Sequence, residues 1–84
     1  MNRRKLLQRI MASPTNVRFA DMTNLVEGFG FTLIRISGSH HIFSQHGVEE
    51  IVNIQPKGRV AKPYQVKQVR DMMLKYHLGE EAND

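Results

Sequence analysis

The chain contains no cysteine and no tryptophan. Without thiols there is no disulfide framework and no thiolate zinc site, and nothing argues for secretion, so a cytoplasmic location is the expectation. Long hydrophobic runs are missing too. No segment approaches the roughly 18 apolar residues of a membrane span, so no membrane partner is expected. The basic start "MNRRKLLQRIMAS" has Gln8 and Arg9 breaking its apolar residues, which leaves no continuous signal-peptide core. No polar low-complexity tract argues for disorder. No glycine-rich phosphate loop and no carboxylate pair at catalytic spacing is present. Acidic residues are the scarcer charge, 8 against 12 Lys and Arg, giving a formal net charge of +4. That balance favours an anionic partner, either nucleic acid or an acidic protein. A chain of 84 residues suits one domain spanning 1–84, with a modest core and marginal stability.

Periodicity supplies the elements. Leu6, Leu7, Ile10 and Met11 recur at helical spacing, which predicts an amphipathic helix over Arg3 to Ala12. Pro14 ends it. A second helix is expected from Phe19 to Glu27, with Met22, Leu25, Val26 and Phe29 as its stripe and Gly28 or Gly30 as its stop. "FTLIRIS" (Phe31 to Ser37) and "HHIFS" (His40 to Ser44) read as strands joined by a Ser-Gly-Ser turn. "QHGVEE" reads as a loop, "IVNIQ" (Ile51 to Gln55) as a third strand, and "PKGRVAK" (Pro56 to Lys62) as a basic loop. Pro63 suits the first position of a last helix, whose apolar face runs through Val66, Val69, Met72 or Met73 and Tyr76 to about Leu78. Gly79 can end that helix, and residues 79–84 read as a flexible acidic tail. Met22, Met72 and Met73 are read as core filler rather than a cofactor box. The expected fold is α+β: a two-layer α-β-β-β-α domain with a three-stranded antiparallel sheet and an additional N-terminal helix over residues 1–13. Double-stranded RNA-binding domains use the same order.

Two features could carry chemistry. His40 and His41 are adjacent in a strand, so their side chains point to opposite faces and differ in environment. Ile42 and Phe43 are both apolar, and alternation alone does not say which histidine faces water. For the same reason the pair cannot easily chelate one ion. His46, His77, Glu49 and Glu50 complete no recognised metal spacing, so no metal and no other cofactor is expected. Ser37, Ser39 and Ser44 lie near the histidines, but so small a domain has little room for an orienting acid and an oxyanion hole. The second feature is basic. Lys57, Arg59, Lys62, Lys67 and Arg70 gather around the expected start of the last helix, where amide groups and the helix dipole already favour phosphate. Arg3, Arg4, Lys5 and Arg9 read as a separate, solvated basic face or a docking surface for an acidic partner.

"GSHHIF" (Gly38 to Phe43), together with "NIQPKGRVAKPYQVKQV" (Asn53 to Val69), resembles the HicA toxin family over roughly Phe19 to Leu78. The resemblance implies a fold similar to double-stranded RNA-binding domains. It also implies a stress-response ribonuclease that cuts mRNA and is neutralised by a HicB-like antitoxin. The histidine that follows Gly-Ser carries over to His40 as the catalytic residue; His41 receives no role. RNA contacts are expected from Gly38, Ser39, Lys57, Arg59, Lys62 and Lys67. Where many members carry a shorter basic hairpin with another histidine, this chain has "NIQPKGRVAKP". Chemically, an imidazole titrating near neutrality can act as base or acid toward the RNA 2′-hydroxyl, with no metal required. A non-catalytic RNA-binding module is the alternative that the same features allow.

Overall fold

Local signals for helix and strand compete along the chain, and the computed structural model, which describes residues 2–76, shows where each prevails. In order it forms α1 (Arg3–Ala12), α2 (Phe19–Gly28), β1 (Thr32–Ser37), β2 (His40–Gln45), β3 (Val48–Ile54), β4 (Pro56–Lys57), β5 (Val60–Ala61) and α3 (Pro63–Lys75). Strands β1, β2 and β3 make one antiparallel sheet in that order, and β4 with β5 makes a separate small hairpin. The architecture is the expected α+β layout, with helices layered on one face of the sheet. Leu78, Gly79 and the acidic tail lie outside the described residues.

Helix α1 begins where Asn2 accepts a hydrogen bond from the Lys5 amide at 2.9 Å, a side-chain cap. Its Leu6, Leu7 and Ile10 are buried, and it packs chiefly against α2 and α3. The expected solvated basic face needs correction. Arg4 and Lys5 are exposed, but Arg3 donates to the Gly28 carbonyl at 2.6 Å and lies 5.6 Å from the centre of the Phe29 ring. Arg9 donates to the Asn16 carbonyl, and Arg70 reaches from α3 to the Ile10 carbonyl at 3.4 Å. Half of the arginine face therefore fastens α1 to its neighbours, and Arg70 leaves the basic cluster it was expected to join.

In α2, Met22, Leu25 and Val26 are buried as the stripe requires. Gly30, with φ of +98°, follows the helix end, and a Cβ there would come within 2.7 Å of Gln45 Nε2. The positive φ is what calls for glycine, since the end of the flexible Gln45 side chain can move aside. In α3, Val66, Val69, Met72 and Met73 are buried, and Pro63 occupies the first turn. Both methionines fill the core, as does Met22.

The sheet departs from expectation at two loops. All three hairpins turn through two residues, since Ser37 pairs with His40, Gln45 with Val48, and Lys57 with Val60. The expected loop Gln45–Glu50 is therefore only a His46–Gly47 turn, and Val48, Glu49 and Glu50 belong to β3. The expected basic loop is the β4–β5 hairpin. It is held because Val17 accepts from the Ala61 amide at 2.8 Å and Arg59 accepts from the Phe19 amide at 2.9 Å. Those bonds give two-residue strands the partners that they could not find in water.

Glu50 shows why β3 extends so far. Its carboxylate accepts from Lys75 Nζ at 2.8 Å and from the Tyr76 hydroxyl, joining the start of β3 to the end of α3. The Lys75 and Tyr76 hydrogen bonds hold Glu50 below its ordinary pKa of 4.5. The bond to Glu50 raises Lys75 and Tyr76 above theirs.

Replacing the fully buried Ile10 by Ala should cost about 2–5 kcal/mol in urea unfolding; a cost near zero would mean that α1 is not part of the core. Glu50→Gln should lower the melting temperature slightly at pH 7. A carboxylate with a depressed folded pKa stabilises above its unfolded pKa and stops doing so as the pH falls through the folded value. The gap between wild type and Glu50→Gln should thus close in melts taken well below pH 4.5. The opposing limb, from Lys75 and Tyr76, is present below their unfolded pKa values and is lost as the pH rises through the raised ones.

Candidate active site

Strand alternation now has an answer. Phe43 is 1 % exposed and pairs with Leu33 and Val52, so the helices cover its face of β2. His41 shares that face; His40 and Ile42 share the other, and His40 is exposed. Gly38 makes this placement possible. It holds φ of +59° at the first central position of a two-residue turn, where L-residues are strained.

His40 opens β2. Its Nδ1 lies 3.0 Å from Asn53 Nδ2 and 3.2 Å from Asn53 Oδ1. Asn53 sits on β3 opposite Ile42, two residues along from His40, so the contact is a diagonal cross-strand pair. His41 does a different job. Its Nδ1–H donates to the Ser39 carbonyl at 3.0 Å, and its ring stands edge-on to Phe19 with centroids 4.8 Å apart. The two imidazoles do not converge on a common point. His46 lies in the β2–β3 turn, and His77 is outside the described residues. Among the described residues no group of three or more His, Asp or Glu side chains is gathered as metal ligands would be.

Ser39 is gripped a second time. Its hydroxyl accepts from Gln55 Nε2 at 3.0 Å. Gln55 is 5 % exposed and Gln65, in the first turn of α3, is 1 % exposed. The Gln55 amide donates to Gln65 Oε1 at 2.6 Å, and Gln65 Nε2 donates to Gln55 Oε1 at 2.8 Å. The Tyr64 hydroxyl donates to the same Oε1 at 3.4 Å. The Gln55 carbonyl accepts from the Lys62 amide at 3.0 Å, which closes the base of the basic hairpin. The turn carrying His40, the hairpin and the start of α3 are therefore tied to one residue.

The expected cations fall in three places. Lys57 and Arg59 are exposed on the hairpin, Lys62 is the half-buried N-cap residue of α3, and Lys67 is exposed one turn further on. Arg59 sits with Arg18, Phe19 and Ala20 around a shallow depression at the start of α2 rather than of α3. Sequence reasoning missed Arg18, Asn53, Gln55, Tyr64 and Gln65. A signal existed for two of them. In "IVNIQ" the apolar Val52 and Ile54 alternate with Asn53 and Gln55, which places two amides on one side of a strand.

Comparison with known proteins agrees with the motif. The family model described as "HicA toxin of bacterial toxin-antitoxin" matches residues 19–76, from the start of α2 to the end of the described chain. No curated protein and no solved structure matched in the same way.

The Gln55–Gln65 pair generates a prediction. Gln65→Leu removes the acceptor of a buried amide and should destabilise by about 1–3 kcal/mol in chemical denaturation. It should also loosen the Ser39 turn, seen as faster amide exchange at Ser39 and His40. Unchanged exchange there would refute the link between α3 and the turn.

Proposed function

The chain belongs to the HicA toxin family of toxin–antitoxin systems, and from that premise we propose that it is a metal-independent endoribonuclease that cleaves mRNA with His40 as its catalytic imidazole. The observation that carries the reading is the exposed His40, with Nδ1 occupied by Asn53 and the ring mounted on a turn fastened from two sides. RNA brings its own nucleophile, the 2′-hydroxyl. His40 serves the proton traffic, either taking the proton of that hydroxyl or giving one to the leaving 5′-oxygen. Lys57, Arg59, Lys62 and Lys67 supply the positive charge that holds phosphate and stabilises the phosphorane, and Gly38 and Ser39 contribute backbone contacts. With one imidazole rather than two, turnover is slow. The partners are mRNA and a HicB-like antitoxin, met in the cytoplasm. Among the described residues no helix is long and apolar enough to cross a membrane.

The test is RNA cleavage in EDTA by the wild type and by His40→Ala. The wild type should cleave, and the variant should lose about 100- to 10,000-fold in rate. Cleavage that survives His40→Ala defeats the assignment, and loss of wild-type cleavage in EDTA points to a metal. RNA binding without cleavage by the wild type would favour a binding module. In the same preparation, Lys57→Ala and Arg59→Ala should each weaken RNA binding and flatten its dependence on salt.

A further inference from the structure

We propose that Asn53 is the positioning residue of His40: its amide holds Nδ1 and thereby makes Nε2 the nitrogen that exchanges protons with the substrate. The proposal deepens the ribonuclease reading and rests on it for what the substrate is. The hold of Asn53 on the ring is independent of that reading.

A neutral imidazole has one donor nitrogen and one acceptor, and a partner on one nitrogen decides the role of the other. Asn53 is unusual in offering both kinds of group to the same atom, Oδ1 at 3.2 Å and Nδ2 at 3.0 Å from Nδ1. When Nδ1 carries a proton, Oδ1 accepts it. Nε2 is then bare and basic in the neutral ring, or protonated and acidic in the imidazolium. Proton transfer at Nε2 leaves the Nδ1–H bond to Oδ1 intact in both directions, so the ring need not turn between the two states. When Nδ1 is bare, Nδ2 donates to it and Nε2 holds the only ring proton. Nε2 then acts only as a hydrogen-bond donor, suited to a phosphate oxygen. One uncharged amide thus supports every protonation state of the ring without a carboxylate's bias toward the imidazolium. It acts from a neighbouring strand, where backbone pairing fixes its distance.

The experiment compares Asn53→Leu and Asn53→Asp with the wild type in two readouts. In steady-state RNA cleavage, Asn53→Leu should lower kcat by about 10- to 100-fold with KM little changed, as loss of an orienting partner does. Asn53→Asp keeps an acceptor for Nδ1–H and should recover most of kcat. In nitrogen-15 spectra of the imidazoles, assigned with His40→Ala, the wild-type Nδ1 should show the shift of a hydrogen-bonded nitrogen in every protonation state of the ring. In Asn53→Leu that Nδ1 shift should move to the value of a ring nitrogen facing water, and Asn53→Asp should show a fully protonated Nδ1. Wild-type kcat in Asn53→Leu, or an unchanged His40 spectrum in that variant, overturns the proposal. Should Asn53→Leu not fold, Asn53→Asp decides alone: a His40 spectrum without Nδ1 protonation overturns it. If His40→Ala itself cleaves RNA normally, the ribonuclease assignment falls, and the spectra still decide whether Asn53 holds Nδ1.

Discussion

Gln55 stands where the sheet ends, the basic hairpin starts and α3 is about to begin, and all four of its polar groups are engaged there. A buried amide is costly when any of those groups lacks a partner, so the arrangement is all or nothing. Its partners come from distant parts of the chain: Ser39 from the first hairpin, Lys62 from the end of the second, and Gln65 from α3. Moving any of these elements breaks a bond to the buried Gln55. A small domain cannot rely on a large core to hold its loops. Here a polar junction does that work at one end of the sheet, while the Glu50 contacts fasten the opposite end of α3.

From that junction the division between the two histidines follows. Ser39 is held by Gln55 through its hydroxyl and by His41 through its carbonyl. His41 thus supports from the covered face the turn that presents His40 on the open face. Adjacent residues of one strand take opposite duties because the pleat sends them to opposite sides. Asn53 completes the arrangement from the third strand, and the imidazole is set by a turn on one side and a ladder neighbour on the other.

How far this could be read in the sequence depends on the range of the interaction. Helices α1, α2 and α3 were legible because each carries its own apolar stripe, and α1 and α2 carry stop signals as well, Pro14 and Gly30. The first hairpin was legible because Gly38 sits in a short polar turn between β-rich runs. His40 was singled out by the Gly-Ser-His motif, and it lies exposed at the start of β2. The second turn was not, because Glu49 and Glu50 look like loop residues until Lys75 and Tyr76 come across from α3. Residues 56–61 looked like a loop because Pro56 and Gly58 punctuate them; the bonds that make them a hairpin come from Val17 and Phe19. Gln55 and Gln65 were invisible for a related reason. Two glutamines ten residues apart have no characteristic spacing, and their meaning appears only once both are buried against each other.

The first helix shows what the two layers allow. It precedes the family match at residues 19–76, yet Leu6, Leu7 and Ile10 lie in the same core as Met22 and Val66. It packs on α2 and α3, in the helical layer, whereas His40 and Asn53 occupy the uncovered face of the sheet. An element added to the helical side deepens the core and leaves the open face free. Arg3, Arg9 and Arg70 make the addition specific, since each donates a hydrogen bond to a backbone carbonyl at a helix junction. Arg4, Lys5, Arg18, Arg35, Lys57, Arg59 and Lys67 are exposed and carry their charge outward, with Arg18 beside Arg59. The charge that composition counts as one surplus is divided by the fold into a part that holds helices together and a part that faces outward.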